Sequence, residues 1–142
     1  MLSFLDKIDT YFGQYADLGK LMTRICVAGM MLPHGITKLP FFWGLGGAEA
    51  TLVKSNLPAG LALCAYIGEI VAPLMILLGW RTRIGSLFVI VTMIFAIFLT
   101  SGANLFGLDN FGGFLGEKQL MYIFASLSIL FLGAGKYSID KR

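Results

Sequence analysis

Four apolar stretches, at about 20–42, 58–79, 83–105 and 117–135, constrain this chain more than any other feature. Each is close to the ~20 residues that a helix rising ~1.5 Å per residue needs to cross ~30 Å of hydrocarbon. Burying all four in a soluble core would require a polar outer layer. With 57% hydrophobic and 13% charged residues, the 142-residue chain has little sequence left to build one. A mean hydropathy of +0.80 agrees. The pattern predicts an all-α integral membrane four-helix transmembrane bundle, because a continuous helix satisfies its own backbone groups where no water can. There is no fixed-period repeat or low-complexity tract, so residues 1–142 read as one domain.

The first 18 residues mix Asp6, Lys7, Asp9 and Asp17 with Leu5, Ile8, Phe12 and Tyr15 at helical spacing. That pattern lacks the basic start and unbroken apolar run of a cleavable signal, and it predicts an amphipathic helix along the membrane surface. A frayed terminus is the alternative. With four crossings, eight basic residues (Lys7, Lys20, Arg24, Arg81, Arg83, Lys136, Lys141, Arg142) fall on one side and Lys38, Lys54 and Lys118 on the other. Both termini and the tight Gly79–Arg83 turn are therefore expected in the cytoplasm of a multi-pass inner-membrane protein. The net charge of +3 needs no nucleic acid to explain it, since anionic headgroups lie on that side. Ala48–Lys54 is expected to form a surface turn of helix, and 106–116 to dip into the headgroups or to cover an outward cavity. Trp43, Trp80 and Tyr137 are placed as interface anchors.

Ionisable residues within these stretches are costly, at about 2.5–3.5 kcal/mol near a helix centre, so each needs a reason. Arg24, His34 and Lys38 share one face of the first stretch at ~100° per residue. Glu69 lies midway along the second. Helix side chains lean toward their N-terminus, so in antiparallel neighbours His34 and Glu69 lean toward one another. Pro33 lacks an N–H and leaves the carbonyl of Gly29 unbonded, which predicts a bend just before His34; Gly29 and Gly35 would leave room there for a ligand or a water. The expected result is a polar pocket in which His34 and Lys38 face Glu69. A purely structural clip between two helices uses the same residues.

Arg24 is near enough to a helix end to extend to solvent. Glu117 opens the fourth stretch as a helix-end carboxylate, at the level of Lys38, with Tyr122 further in. Asn104, Ser101 and Gln119 are candidates for a hydrogen-bonding rim around a ligand with an apolar body and polar oxygens. A single histidine among few donors argues against a metal site. Cys26 and Cys64 fall at levels ~12 Å apart by residue rise, too far for a disulfide, and are expected as unpaired buried thiols.

The order and spacing of Arg24, "HGITKL" (His34 to Leu39), "GEIVAPLMILLGWRTR" (Gly68 to Arg83) and "GEKQLMY…GAGKYSID" (Gly116 to Asp140) resemble the DoxX family of small four-helix membrane proteins over about residues 20–140. The resemblance implies a range of roles. Members include quinone-reducing membrane subunits of archaeal thiosulfate:quinone oxidoreductases and a mycobacterial protein that joins soluble redox and sulfur-transfer enzymes at the membrane. Others are linked to quinone or catechol stress, and a distant eukaryotic branch comprises cargo receptors. The long extracytoplasmic additions of the thiosulfate enzymes have no counterpart here. The implied function is a non-autonomous subunit of a quinone-linked oxidoreductase, with quinone as substrate, no covalently bound cofactor and a redox or sulfur-transfer partner. In it Glu69 and His34 would carry the proton chemistry, and Lys38, Glu117, Tyr122 and Asn104 would bind the ligand. Two other readings use the same chain: an assembly or anchoring protein, and a small-solute carrier, for which a homo-oligomer would supply more helices.

Overall fold

The computed structural model describes residues 2–39, 47–100, 104–108, 110 and 112–141. Trp43 and Ser101 lie outside these residues. Among the described residues all regular elements are helical: α1 Leu2–Gly13, α2 Ala16–Thr37, α3 Gly47–Lys54, α4 Ala62–Tyr66, α5 Ala72–Leu78, α6 Thr82–Thr100 and α7 Glu117–Leu132. A 3-10 turn, Ala59–Leu61, leads into α4, and a π turn, Ile67–Val71, joins α4 to α5. These four segments form one composite helix from Ala59 to Leu78 where the hydropathy pattern predicts a single regular one.

The helix ends have local causes. Pro40 disfavours helical backbone at Leu39, and α2 ends at Thr37 with Lys38 as its C-cap. Gly79 takes a left-handed conformation (φ 71°) that closes α5, and Gly133 (φ 76°) ends α7 three residues after Leu130. Only three residues separate α5 from α6, so the two run antiparallel side by side.

α6 packs along α7 and against α5 and the π turn, while α2 packs on α5, the π turn and α7. Their shared core comprises Val27, Met31, Ala72, Ile76, Val89, Met93 and Ile129. Small residues let the helix backbones approach one another closely. Ala28, Ala72, Ser86 and Ser126 are fully buried, and a Cβ on Gly85 would meet the carbonyl of Ala72 at 3.0 Å. Gly29 and Gly60, with the same small size, are exposed and have nothing near them.

The outside of the bundle is apolar. Met22, Leu63, Val91, Phe98, Phe124 and Phe131 are each more than 60% exposed. α6 spans 19 residues with mean hydropathy 2.2, yet only 28% of its most apolar window is buried. At ~1.5 Å per residue it is about 28 Å long, the depth of the hydrocarbon layer. It is the one helix among the described residues that is long and apolar enough to cross a membrane by itself; Ala62–Leu78 is a shorter apolar helix. Trp80 and Tyr137, exposed, flank the end at which α5 turns into α6.

Two short elements lie outside the core helices, and the first is the exposed helix expected there. α1 is exposed from Ser3 onward and carries Phe4, Leu5, Ile8, Tyr11 and Phe12 on its surface. α3 does not lie free on the surface: Leu52 is buried against Ala62 and packs with Leu57, Leu61, Tyr66, Phe95 and Leu99.

Candidate functional site around Glu69

Glu69 sits in the middle of the π turn. There the N–H of Ala72 donates to the carbonyl of Ile67, five residues back, which inserts an extra residue into the turn. Single π turns inside α-helices are frequent at functional sites. Two glycines let neighbours press on this one. A Cβ on Gly68 would collide with the side chain of Thr92 on α6, and a Cβ on Gly35 would lie 2.5 Å from the carbonyl oxygen of Glu69. Gly35 therefore serves helix contact, where the sequence reading expected it to leave room for a ligand.

The Glu69 side chain is almost fully buried, and its Oε1 accepts a 2.6 Å charge-assisted hydrogen bond from Lys38 Nζ. Lys38 is the C-cap of α2, where a cation meets the negative end of the helix dipole, and its side chain remains 41% exposed. The other carboxylate oxygen, Oε2, is buried and has no hydrogen-bond partner among the described residues. A buried carboxylate oxygen without a donor is costly and unusual in a native structure.

Two cavities meet at this ion pair. One, about 160 Å³, is lined by Met31, His34, Lys38, Glu69, Lys118, Gln119 and Tyr122 together with Met93, Ala96 and Thr100. The other, about 100 Å³, lies on the α3 side and is lined by Leu52, Leu61, Ala65, Thr92, Phe95 and Leu99, again with Lys38 and Glu69. Gln119 Nε2 lies 3.3 Å from Thr100 Oγ1 at the first cavity. Tyr66 Oη closes the α3 side: it is 3.0 and 3.1 Å from the Glu49 carboxylate oxygens and 3.2 Å from the Lys38 carbonyl.

The structure thus brings His34, Lys38, Glu69 and Tyr122 to one cavity. His34 is exposed, and the residue in contact with Glu69 is Lys38, one turn further along the same face. Glu117 and Asn104 line neither cavity: both are exposed, Glu117 at the start of α7 and Asn104 in a turn where its carbonyl accepts from Gly107 N–H. Pro33 lies inside α2 on its exposed side. Sequence reasoning missed Glu49, Tyr66 and Thr92. Tyr66, three residues before Glu69, shares its face, a spacing that was open to inspection. Glu49 had no such signal.

Arg24 and the cysteines also correct the sequence reading. Arg24 does not extend to solvent: it is 1% exposed, far from the Glu69 cavity, and donates to the carbonyls of Ile76 (2.8 Å), Leu77 (2.7 Å), Ala134 (2.9 Å) and Tyr137 (2.7 Å). It donates to carbonyls at the C-terminal end of α5, where the dipole favours a cation, and in the segment that follows α7. Cys26 and Cys64 are unpaired as expected, but both are exposed, because they face outward between the helix contacts.

Compared with protein families, residues 19–102 match the DoxX family model. No curated protein and no solved structure matches the chain.

Proposed function

The chain belongs to the DoxX family of membrane proteins, and on that premise we propose that it is a membrane subunit of a quinone-associated redox or oxidative-stress system. In this reading α2, the composite helix, α6 and α7 are four crossings of the cell membrane, with both termini cytoplasmic. The apolar exterior and the eight-to-three division of basic residues support that arrangement.

One observation carries the choice of site. Among the described residues Glu69 Oε2 is buried without a partner, at a cavity that His34, Lys38 and Tyr122 also line. Its volume, about 160 Å³, matches the ~150 Å³ cavity known to accept a single six-membered ring. Reduction of a quinone takes two electrons and two protons, one proton to each oxygen. Lys38 has three N–H groups and uses one on Glu69, leaving two to polarise a ring carbonyl. Glu69 in its neutral form donates a proton and in its ionised form accepts one. His34, exposed at the same cavity, connects it to the outside, and the Tyr122 hydroxyl offers a further donor. Electrons are assigned to a partner protein of the redox or sulfur-transfer class.

The ion pair itself favours a second reading, a non-catalytic membrane anchor or assembly protein in which Lys38 and Glu69 clip α2 to the composite helix. Quinone binding to purified wild type, Glu69→Gln and His34→Ala separates the two. The redox reading expects Glu69→Gln to weaken saturable binding at least tenfold with the fold intact. Equal binding by all three proteins removes these residues from the role. Loss of thermal stability or of partner recovery with no ligand lost supports the anchor.

A further inference from the structure

A second polar cleft lies at the opposite end of the bundle from Lys38, where the Gly79–Arg81 connection enters α6. It is open to the surface, holds about 170 Å³ and is lined by Ile84 together with Arg81, Thr82, Arg83, Gly133, Ala134 and Asp140. Its donors are arranged for an anion. α6 is 19 residues long, so its N-terminus carries a full helix dipole, and the first-turn N–H groups of Thr82 and Arg83 have no preceding turn to receive them. Arg81 immediately before it has a left-handed backbone (φ 48°), and its carbonyl accepts from the N–H groups of Ile84 and Gly85.

The independent observation is Thr82. The residue is 3% exposed, and its Oγ1 is buried with no hydrogen-bond partner among the described residues. A hydroxyl in this setting is a donor awaiting an acceptor. The guanidinium groups of Arg81 and Arg83 add two cations against one carboxylate, Asp140, whose Oδ2 is already engaged by the Arg81 N–H at 2.6 Å. The cleft therefore keeps one net positive charge, unused donors from a helix N-terminus, and an orphaned hydroxyl.

We propose that this cleft is a binding site for a phosphate group, held by the Thr82 hydroxyl, the first-turn N–H groups of α6 and the Arg81 and Arg83 side chains. Planar guanidinium groups and helix N-termini both recognise this chemistry. Either a lipid headgroup or a soluble phosphate provides it. The site does not draw on the quinone reading and involves none of the same residues.

The test uses the full chain purified in a neutral detergent. Dioctanoyl phosphatidylglycerol and inorganic phosphate are titrated separately and read by native mass spectrometry and by thermal shift. The expected result is saturable binding at one site, weakened at least fivefold by Thr82→Val and by Arg83→Gln and less than twofold by Lys54→Gln, whose lysine is outside the cleft. Lipid binding at least tenfold tighter than inorganic phosphate identifies a headgroup site; the reverse order, or parity, identifies a soluble phosphate. Arg83 is exposed, so its variant remains informative if Thr82→Val fails to fold. Binding by Arg83→Gln weakened less than fivefold for both probes, or no saturable binding by wild type, overturns the proposal.

Discussion

Gly35 of α2 lies directly against the backbone carbonyl of Glu69, close enough that a single added methyl group would be 2.5 Å from that oxygen. Lys38 follows three residues later on the same helix, so this contact fixes how far its ammonium must reach to meet the Glu69 carboxylate. The ion pair depends on a glycine that takes no part in it.

Gly35→Ala is therefore expected to push α2 away from the π turn and cost about 1–3 kcal/mol, the usual range for overpacking. Gly29→Ala, six residues earlier with nothing within 4 Å, should be neutral or slightly stabilising, since alanine is the better helix former. Thermal unfolding of both variants in detergent checks the contrast; similar losses at the two positions would refute the close-contact role.

The two ends of the Lys38–Glu69 pair should not be equivalent. Lys38→Met strands a buried carboxylate, at a cost of about 3–5 kcal/mol if it stays charged. Glu69→Gln leaves a lysine that is 41% exposed and free to turn outward, with a loss of about 1 kcal/mol for the hydrogen bond. The double variant should resemble Glu69→Gln alone. A double-mutant cycle by denaturant unfolding measures this, and additive losses would show that the pair is not coupled.

Arg24→Lys is expected to destabilise the bundle by about 1–3 kcal/mol. An ammonium cannot reproduce the guanidinium fork, and its three N–H groups leave at least one of the four carbonyls without this donor, at ~1–3 kcal/mol for each one lost. The chain following α7 should loosen first, because Ile139 N–H and Asp140 N–H bond the carbonyls of Leu78 and Gly79 beside it. Faster hydrogen exchange at Ile139 and Asp140 is the readout; unchanged exchange there would contradict it.

Acid should release the same segment at a second point. The Lys20 ammonium, 3.0 Å from Asp17 Oδ1, holds the Asp17 carboxyl below the usual carboxylate range, with the Lys136 backbone N–H and charge acting in the same sense and partial desolvation opposing them. A depressed folded-state pKa means that the contribution is complete above the unfolded value of ~3.9 and disappears as pH falls through the lower folded value. Amide protection around Lys136, measured relative to the intrinsic exchange rate at each pH, should fall across that acid window in the wild type and lose its pH dependence in Asp17→Asn. A wild-type profile flat through the window would exclude the linkage.

Much of the layout was legible in the primary structure because it follows from local chemistry. The apolar stretches predict helices at the positions of α2, the composite helix, α6 and α7, and Gly79 and Gly133 end two of them through backbone conformations that glycine tolerates. The placing of Lys38 and His34 near Glu69 also follows from helical spacing and antiparallel order, whereas that of Tyr122 emerged only from the packing of α7. What the spacing could not determine is which base touches the acid. Extrapolation at ~100° per residue assumes a uniform helix, and the π turn adds a residue at Glu69 itself.

Burial was the other quantity that tertiary structure alone decided. In a soluble protein apolar character separates inside from outside, but here the exterior is as apolar as the core, so hydropathy says little about which face is covered. Cys26 and Cys64 are exposed for that reason, and Glu117 and Asn104 lie away from the cavity they were expected to line. Arg24 is buried because the end of α5 and the segment after α7, distant in sequence, converge on it with their carbonyls. Sequence determined the helices and the polar groups placed among them; the close approach of glycines on neighbouring helices determined which of those groups meet.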